Sequence, residues 1–199
     1  TDHTLLLMCI VALFMAEMFC YVAAFPKYQA SQVMAAVFSF LYAPVLLSFV
    51  YLTRECENGI YLVWLILISS WGCDTCAYVV GKLIGKKHIF PELSPHKSLE
   101  GCIGGVAGAA LIGGLYAHFF VEAAFPDQII TWTIAFICAA GAVMSMVGDL
   151  AASAIKRNHN IKDYGKLIPG HGGIMDRFDS MTVTAPMTYF LAILMIGLR

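Results

Sequence analysis

Residues 129–151 read IITWTIAFICAAGAVMSMVGDLA, an apolar run whose one charged side chain is Asp149. A bilayer span takes about 20 consecutive apolar residues, so this stretch is long enough to cross once. Comparable runs occupy 4–25, 31–52, 60–81, 102–121 and 180–198, and none alternates long enough to suggest a β-barrel. Across its 199 residues the chain is 60% hydrophobic and 13% charged, with a mean hydropathy of +0.77. Soluble domains carry roughly 45–50% apolar and about 25% charged residues. A water-soluble enzyme and a disordered chain are both excluded. The expected fold class is all-α: a polytopic transmembrane helical protein of about six spans, with two polar cytoplasmic segments.

The polar segments are 82–101 and 152–179, and they hold nine of the twelve basic residues: Lys82, Lys86, Lys87, Lys97, Lys156, Arg157, Lys162, Lys166 and Arg177. Basic loops stay on the cytoplasmic side. Both segments are therefore expected inside, with Lys27 on a short inside turn and Thr1, Arg199 and Arg54 outside. A net charge of −1 favours no polyanionic partner, so nucleic acid is not expected. The chain begins at Thr1 without an initiator Met and is expected to be a fragment. Its first run lacks the basic start and small-residue cleavage site of a signal peptide and reads as a true span. Seven cysteines, mostly within apolar runs, suggest no disulfide framework, and Cys73 and Cys76 sit inside an apolar helix with no partner pair at metal spacing. Gly101/Gly105 and Gly104/Gly108 are small-xxx-small pairs suited to close helix packing. No Lys-Ser/Thr ending follows them to make a phosphate loop.

A charge in a span costs about 2.5–3.5 kcal/mol on insertion scales, so each one calls for a reason. Glu17 has no neighbouring motif, whereas Asp74 stands one turn from Tyr78 on the same helical face. Asp149 opens the densest constellation. With Ser153, Lys156 and Arg157 it forms a stripe at i, i+4, i+7 and i+8. The glycine-rich run 169–173 cannot be helical and permits close backbone approach to a ligand. Asp176 and Asp179, at i and i+3, face one point at the start of the last helix. Asp149, Asp176 and Asp179 could together hold Mg²⁺, which takes oxygen ligands and leaves room for substrate phosphates. Lys156, Arg157, Lys162 and Arg177 suit phosphate oxygens. A metal and cations at a membrane–water boundary are the equipment of phosphoryl or nucleotidyl transfer.

These residues resemble a known family. Ser153, Lys156 and Arg157, then Lys162, Asp163 and Gly165, then Ile168, Pro169, His171, Gly172, Gly173, Asp176, Arg177 and Asp179 match the signature of phosphatidate cytidylyltransferases, the CDP-diacylglycerol synthases. A second block, from Asp74, Ala77, Tyr78, Gly81 and Lys82 through Gly85 and Lys86 to Ser94–Gly101, is similar to the family as well, with Ser98 in place of a more usual Thr. The resemblance covers roughly 60–185. It divides the chain into a divergent N-terminal transmembrane pair, 1–59, and a catalytic transmembrane core, 60–199, and family members usually carry further N-terminal helices.

The resemblance implies condensation of CTP with phosphatidic acid to CDP-diacylglycerol and pyrophosphate, in phospholipid biosynthesis. It makes Asp149 and Asp176 the expected ligands of Mg²⁺, with K⁺ as a companion cation. Ser153 and Lys156 join those two aspartates as expected catalytic residues. Lys97, Ser98, Arg157, Lys162, His171, Gly172, Gly173 and Arg177 are the expected contacts to substrate or CTP phosphates, and Asp74 and Asp179 are further site carboxylates. The expected setting is the bacterial inner membrane with the site facing the cytoplasm, and the expected partners are CTP, phosphatidic acid, the bilayer and a second copy of the chain in a homodimer. Competing readings are a related CTP-dependent lipid enzyme (a CDP-archaeol synthase or a polyprenol or phytol kinase) and an ion-coupled transporter. The phosphatidate phosphate is already an anionic nucleophile, so catalysis is expected from alignment and charge neutralisation, in a pocket between the third, fifth and sixth helices.

Overall fold

Each apolar run becomes one helix in the computed structural model, which describes residues 2–91, 93–95, 97–125, 129–167 and 172–197. The helices are α1 (Asp2–Ala23), α2 (Ala30–Glu55), α3 (Gly59–Ile84), α4 (Leu99–Ala124), α5 (Ile130–Asn158) and α6 (Met175–Ile196). All six are long and apolar enough to cross a membrane. Among the described residues there is no β-strand; an isolated bridge joins His88 and Ser98, and Gly172 is a further isolated bridge residue. The protein is an all-α polytopic membrane protein.

The helices outrun their apolar stretches, and at a single end α5 and α6 do so by the most. α5 continues past residue 151 to Asn158, and α6 starts at Met175 rather than near 180. Lys156 and Arg157 occupy the last turn of α5 and Asp176 the first turn of α6. Those charges complement the helix dipole, which favours cations at a C-terminus and anions at an N-terminus. The polar stripe read from the sequence is therefore helical, and the connection between α5 and α6 is shorter than hydropathy alone suggests.

The chain forms two compact units, Thr1–Ser48 and Phe49–Arg199. In the first, α1 exposes Leu5, Met15 and Phe19, and the segment Ala30–Phe40 of α2 buries none of its residues. In the second, Leu62 and Leu65 of α3, Ile134 and Ile137 of α5 and Ala192 of α6 make the main core. A smaller cluster of Cys73, Ala109 and Ala142 joins α3, α4 and α5.

Lipid tails are as apolar as leucine, so close van der Waals packing has to hold such helices together. The glycines of α4 provide it. A Cβ added to Gly105 would stand 3.0 Å from Cys73 Sγ, one on Gly108 would collide with Cys76 Sγ, and one on Gly113 would lie 2.5 Å from Cys138 Sγ. Cys73 and Cys76 thus fill notches left by glycines, which gives that pair a packing role.

Two local features set the site. The segment Ile68–Gly72 of α3 is a π-helical turn, a form that often appears at functional positions. The loop after α3 folds back on the start of α4: the Glu100 carboxylate accepts the N–H of Lys86 at 3.1 Å and of Lys87 at 3.2 Å. Leu99 N–H donates to the Lys87 carbonyl at 2.8 Å, and Ile89 N–H to that of Lys97 at 3.2 Å. Ser98 caps α4 by accepting the Gly101 N–H at 3.2 Å. Lys97 is thereby held at the mouth of the bundle.

Candidate active site

Three helices bring four carboxylates to one cavity. Its volume is about 340 Å³, and its walls are Trp71, Asp74 and Thr75 of α3, Asp149 of α5, and Asp176, Arg177, Asp179 and Ser180 of α6. A neighbouring cavity of about 260 Å³ shares Asp74 and Asp149 and adds Lys97, Ser98 and Cys102. Asp74 and Asp149 therefore stand between two compartments.

Two lysines pair with carboxylates that line the cavity. Lys97 forms an ion pair with Asp149 Oδ2. Lys156 Nζ donates to Asp176 Oδ1 at 2.9 Å and lies 3.7 Å from Asp179 Oδ2. The Lys156 and Asp176 side chains are only 12% and 7% exposed, and buried charges survive where they are paired and hydrogen-bonded. Asp176 is the most heavily supported: its Oδ2 also accepts the N–H of Tyr164 at 2.8 Å and of Gly173 at 2.9 Å.

The loop between α5 and α6 is shaped around that carboxylate. Gly172 has φ +83°, a left-handed conformation, and a Cβ there would sit 3.0 Å from Asp176 Oδ2. A Cβ on Gly173 would lie 2.9 Å from the Gly165 nitrogen. Glycine at both positions lets two backbone strands close on one oxygen. Tyr164 adds a ring 5.2 Å from Lys156 Nζ and donates its hydroxyl to the Ala152 carbonyl at 3.3 Å. Burial, followed by the Asp179 and Asp176 charges, raises the Tyr164 hydroxyl above its ordinary pKa and keeps it a donor.

Of the residues singled out in the sequence, Asp74, Asp149, Asp176, Asp179 and Arg177 meet in the larger cavity, with Lys97 and Lys156 paired to its carboxylates. Ser98 lines the smaller one while capping α4. Gly172 and Gly173 wrap Asp176. Ser153 is half-buried on α5 and does not line either cavity. Arg157 is exposed and donates to the Ile161 carbonyl at 3.5 Å, and Lys162 is exposed on the loop. His171 lies outside the described residues.

Trp71 and Tyr164 are contributors the sequence reading left without a role. Trp71 Nε1 donates to the Arg177 carbonyl at 3.3 Å, and its ring lies 6.2 Å from that of Phe178, so α3 holds the start of α6. Its place three residues before Asp74, on the same helical face, was the available signal.

The donor set suits a hard divalent cation. Four carboxylates face three cationic side chains, Lys97, Lys156 and Arg177, which leaves a negative surplus and only oxygen ligands. Among the described residues no three of His, Cys, Asp and Glu are clustered closely enough to hold a metal alone. Mg²⁺ is commonly bound by one or two carboxylates completed by water and substrate phosphates, an arrangement these pairs can meet.

Comparison with known proteins shows the family of the chain. Residues 1–195 match the model of the cytidylyltransferase family. The chain is 38% identical over 139 residues to a phosphatidate cytidylyltransferase of Haemophilus influenzae, covering 69% of this chain and 48% of the relative. It is 36% identical over 135 residues to one of Bacillus subtilis, covering 68% and 48%. With one of Thermotoga maritima it shares 37% identity over 165 residues, covering 81% and 61%. The chain thus spans about half the length of the first two of these relatives.

Proposed function

Because the chain belongs to the cytidylyltransferase family, we propose that it condenses CTP with phosphatidic acid, giving CDP-diacylglycerol and pyrophosphate. A phosphatidate oxygen attacks the α-phosphorus of CTP, a new P–O bond forms, and the bond to the β-phosphate breaks with pyrophosphate as leaving group. The observation that carries this reading is the convergence of Asp74, Asp149, Asp176 and Asp179 on one cavity with Lys97 and Lys156 as their counterions.

The residues act by position and charge. Lys97 and Arg177 supply the cationic groups that draw two anionic substrates together, and Lys156 holds Asp176 in place. The nucleophile is already ionised, so no strong general base is required, and alignment with electrostatic stabilisation carries the rate. Mg²⁺, held by Asp149 and Asp176 with K⁺ as a companion, would supply charge neutralisation at the nucleotide phosphates. In this reading the site faces the cytoplasm from a bacterial inner membrane, and the two basic segments support that orientation. A second copy of the chain is the remaining expected partner, checked by the mass of the detergent-solubilised particle.

The test is transfer of label from α-³²P-CTP to lipid by the full-length protein in detergent with phosphatidic acid and Mg²⁺. Labelled CDP-lipid and equimolar pyrophosphate are expected. Absence of labelled CDP-lipid, or lipid labelled instead from γ-³²P-CTP with a polyprenol or phytol acceptor, would overturn the reading.

A further inference from the structure

α4 has two working faces. Gly101, Gly104, Gly105 and Gly108 press against α3, and the other face turns Val106, Ala107 and Ala110 toward α5. Near the far end the two helices touch closely, where Gly113 meets Cys138. Toward the site they part, leaving an apolar cavity of about 550 Å³ closed by Val143 and Met146 of α5 and by Phe90 of the loop. That volume falls in the range of about 300–1,000 Å³ typical of small-molecule sites.

The cavity adjoins the charged centre. Lys97, Cys102 and Met146 line both it and the smaller cavity that holds Asp74 and Asp149. Lys97 joins the two media: its side chain borders the apolar space while its ammonium pairs with Asp149, the usual way a lysine spans an apolar–polar boundary. Lys97 and the N-terminus of α4 are the positive elements at this head of the groove, beside the Asp74 and Asp149 carboxylates. Ile103, Val143 and Val147 are exposed along its side, so the groove opens laterally. From Cys102 to Ala110 it follows α4 for eight residues, about 12 Å.

We propose that this groove between α4 and α5 holds one acyl chain of the lipid substrate, and that Ala107 and Ala110 set the chain length accepted. The proposal rests on the lipid-phosphate reading above. The anionic head seats at Lys97, and the hydrocarbon runs between Met146 and Val106 toward Ala110. Side chains larger than alanine at the deep end shorten the groove without touching the charged residues.

The experiment uses the full-length protein and two readouts. The first compares kcat/KM for dioctanoyl and dioleoyl phosphatidate in Ala110→Phe and in Leu111→Phe, an exposed neighbour outside the groove. Ala110→Phe is expected to lower the dioleoyl value about tenfold to hundredfold relative to dioctanoyl, the range a hydrophobic pocket can discriminate, while Leu111→Phe leaves the ratio unchanged. Equal loss on both lipids, or an unchanged ratio, overturns the proposal. The second readout is independent of turnover: phosphatidate carrying a mid-chain diazirine is photolysed with the protein and the labelled peptides are mapped. Label within 102–110 and 143–150 that dioleoyl phosphatidate competes away supports the groove even if no CDP-lipid forms, in which case the catalytic reading alone fails. Label elsewhere, or an Ala110→Phe variant changed only in oligomeric mass, shows that another helix or a second copy fills the groove and overturns it.

Discussion

Asp176 shows how much of the site depends on single residues. One oxygen takes the Lys156 ammonium, and the other takes two backbone N–H groups delivered by a glycine-rich loop. Asp176→Asn keeps the shape and removes the charge, as Asp149→Asn does opposite Lys97. Each is expected to lower CTP-dependent CDP-lipid formation by about a hundredfold or more, the scale of losing one preorganised electrostatic group, with an unchanged elution profile in detergent. Near-normal turnover in both variants would remove them from the site. Lys156→Ala is expected to raise the KM for CTP and lower the melting temperature together, because it leaves Asp176 and Asp179 without their shared cation, and breaking a buried pair costs about 3–5 kcal/mol. Lys156→Arg should recover part of both, and unchanged kinetic constants in the alanine variant would refute the assignment. Asp74 and Asp149 were legible in the sequence because a charge inside an apolar helix is conspicuous, and Asp176 and Asp179 because their spacing beside a glycine-rich run turns both to one point. Trp71 and Tyr164 were not, since one acts through an indole N–H and the other through its backbone N–H. Neither group leaves a mark in hydropathy.

At the scale of elements, α4 is the organising helix. Its glycine face admits α3 so closely that Gly104→Val would bring a β-carbon within 2.6 Å of the Val80 side chain. Overpacking of this kind typically costs about 1–3 kcal/mol, so that variant should melt earlier. Gly114→Ala meets nothing nearer than 3.6 Å, at Ala135 Cβ, and should fall within about 0.5 kcal/mol of the parent. Equal melting temperatures for the two variants would contradict this packing. The π-helical turn Ile68–Gly72 ties α3 to α6 through Trp71 and Arg177. Trp71→Phe preserves a ring beside Phe178 and loses the hydrogen bond, worth about 1 kcal/mol net. Turnover is expected to fall more than stability does, and a variant losing stability alone would make the contact merely structural. The glycine spacing was legible in the sequence as helix packing, and the partner helix was not. Small-xxx-small pairs say that something approaches closely, and only the assembled bundle shows the sulfur atoms of Cys73 and Cys76 in the notches.

For the whole molecule, the two basic segments end up together. Lys97 precedes α4 and pairs with Asp149 of α5, and Lys156 pairs with Asp176 at the start of α6, so the loops after α3 and α5 meet at one end of the second unit. If both face the cytoplasm, Lys86→Cys and Lys166→Cys on a cysteine-depleted background should react with a membrane-impermeant maleimide from the same side. Labelling should occur in inside-out vesicles and be absent in intact spheroplasts. Reaction from opposite sides would break the six-span arrangement.

The order of amino acids by itself determined the number of spans and the segregation of charge into two segments, because hydropathy and loop charge are local properties read over about 20 residues at a time. It also marked Glu17, Asp74 and Asp149 as charges inside apolar spans, and Asp176 and Asp179 as an i, i+3 pair beside a glycine-rich run. Only the tertiary structure decided which lysine neutralises which carboxylate, and that Arg157 and Lys162 stay on the exposed loop side while Arg177 joins the cavity wall. It alone opened a groove between α4 and α5 beside the charged centre. Those outcomes depend on the angles and separations at which distant helices pack, and glycine and cysteine contacts between helices set them.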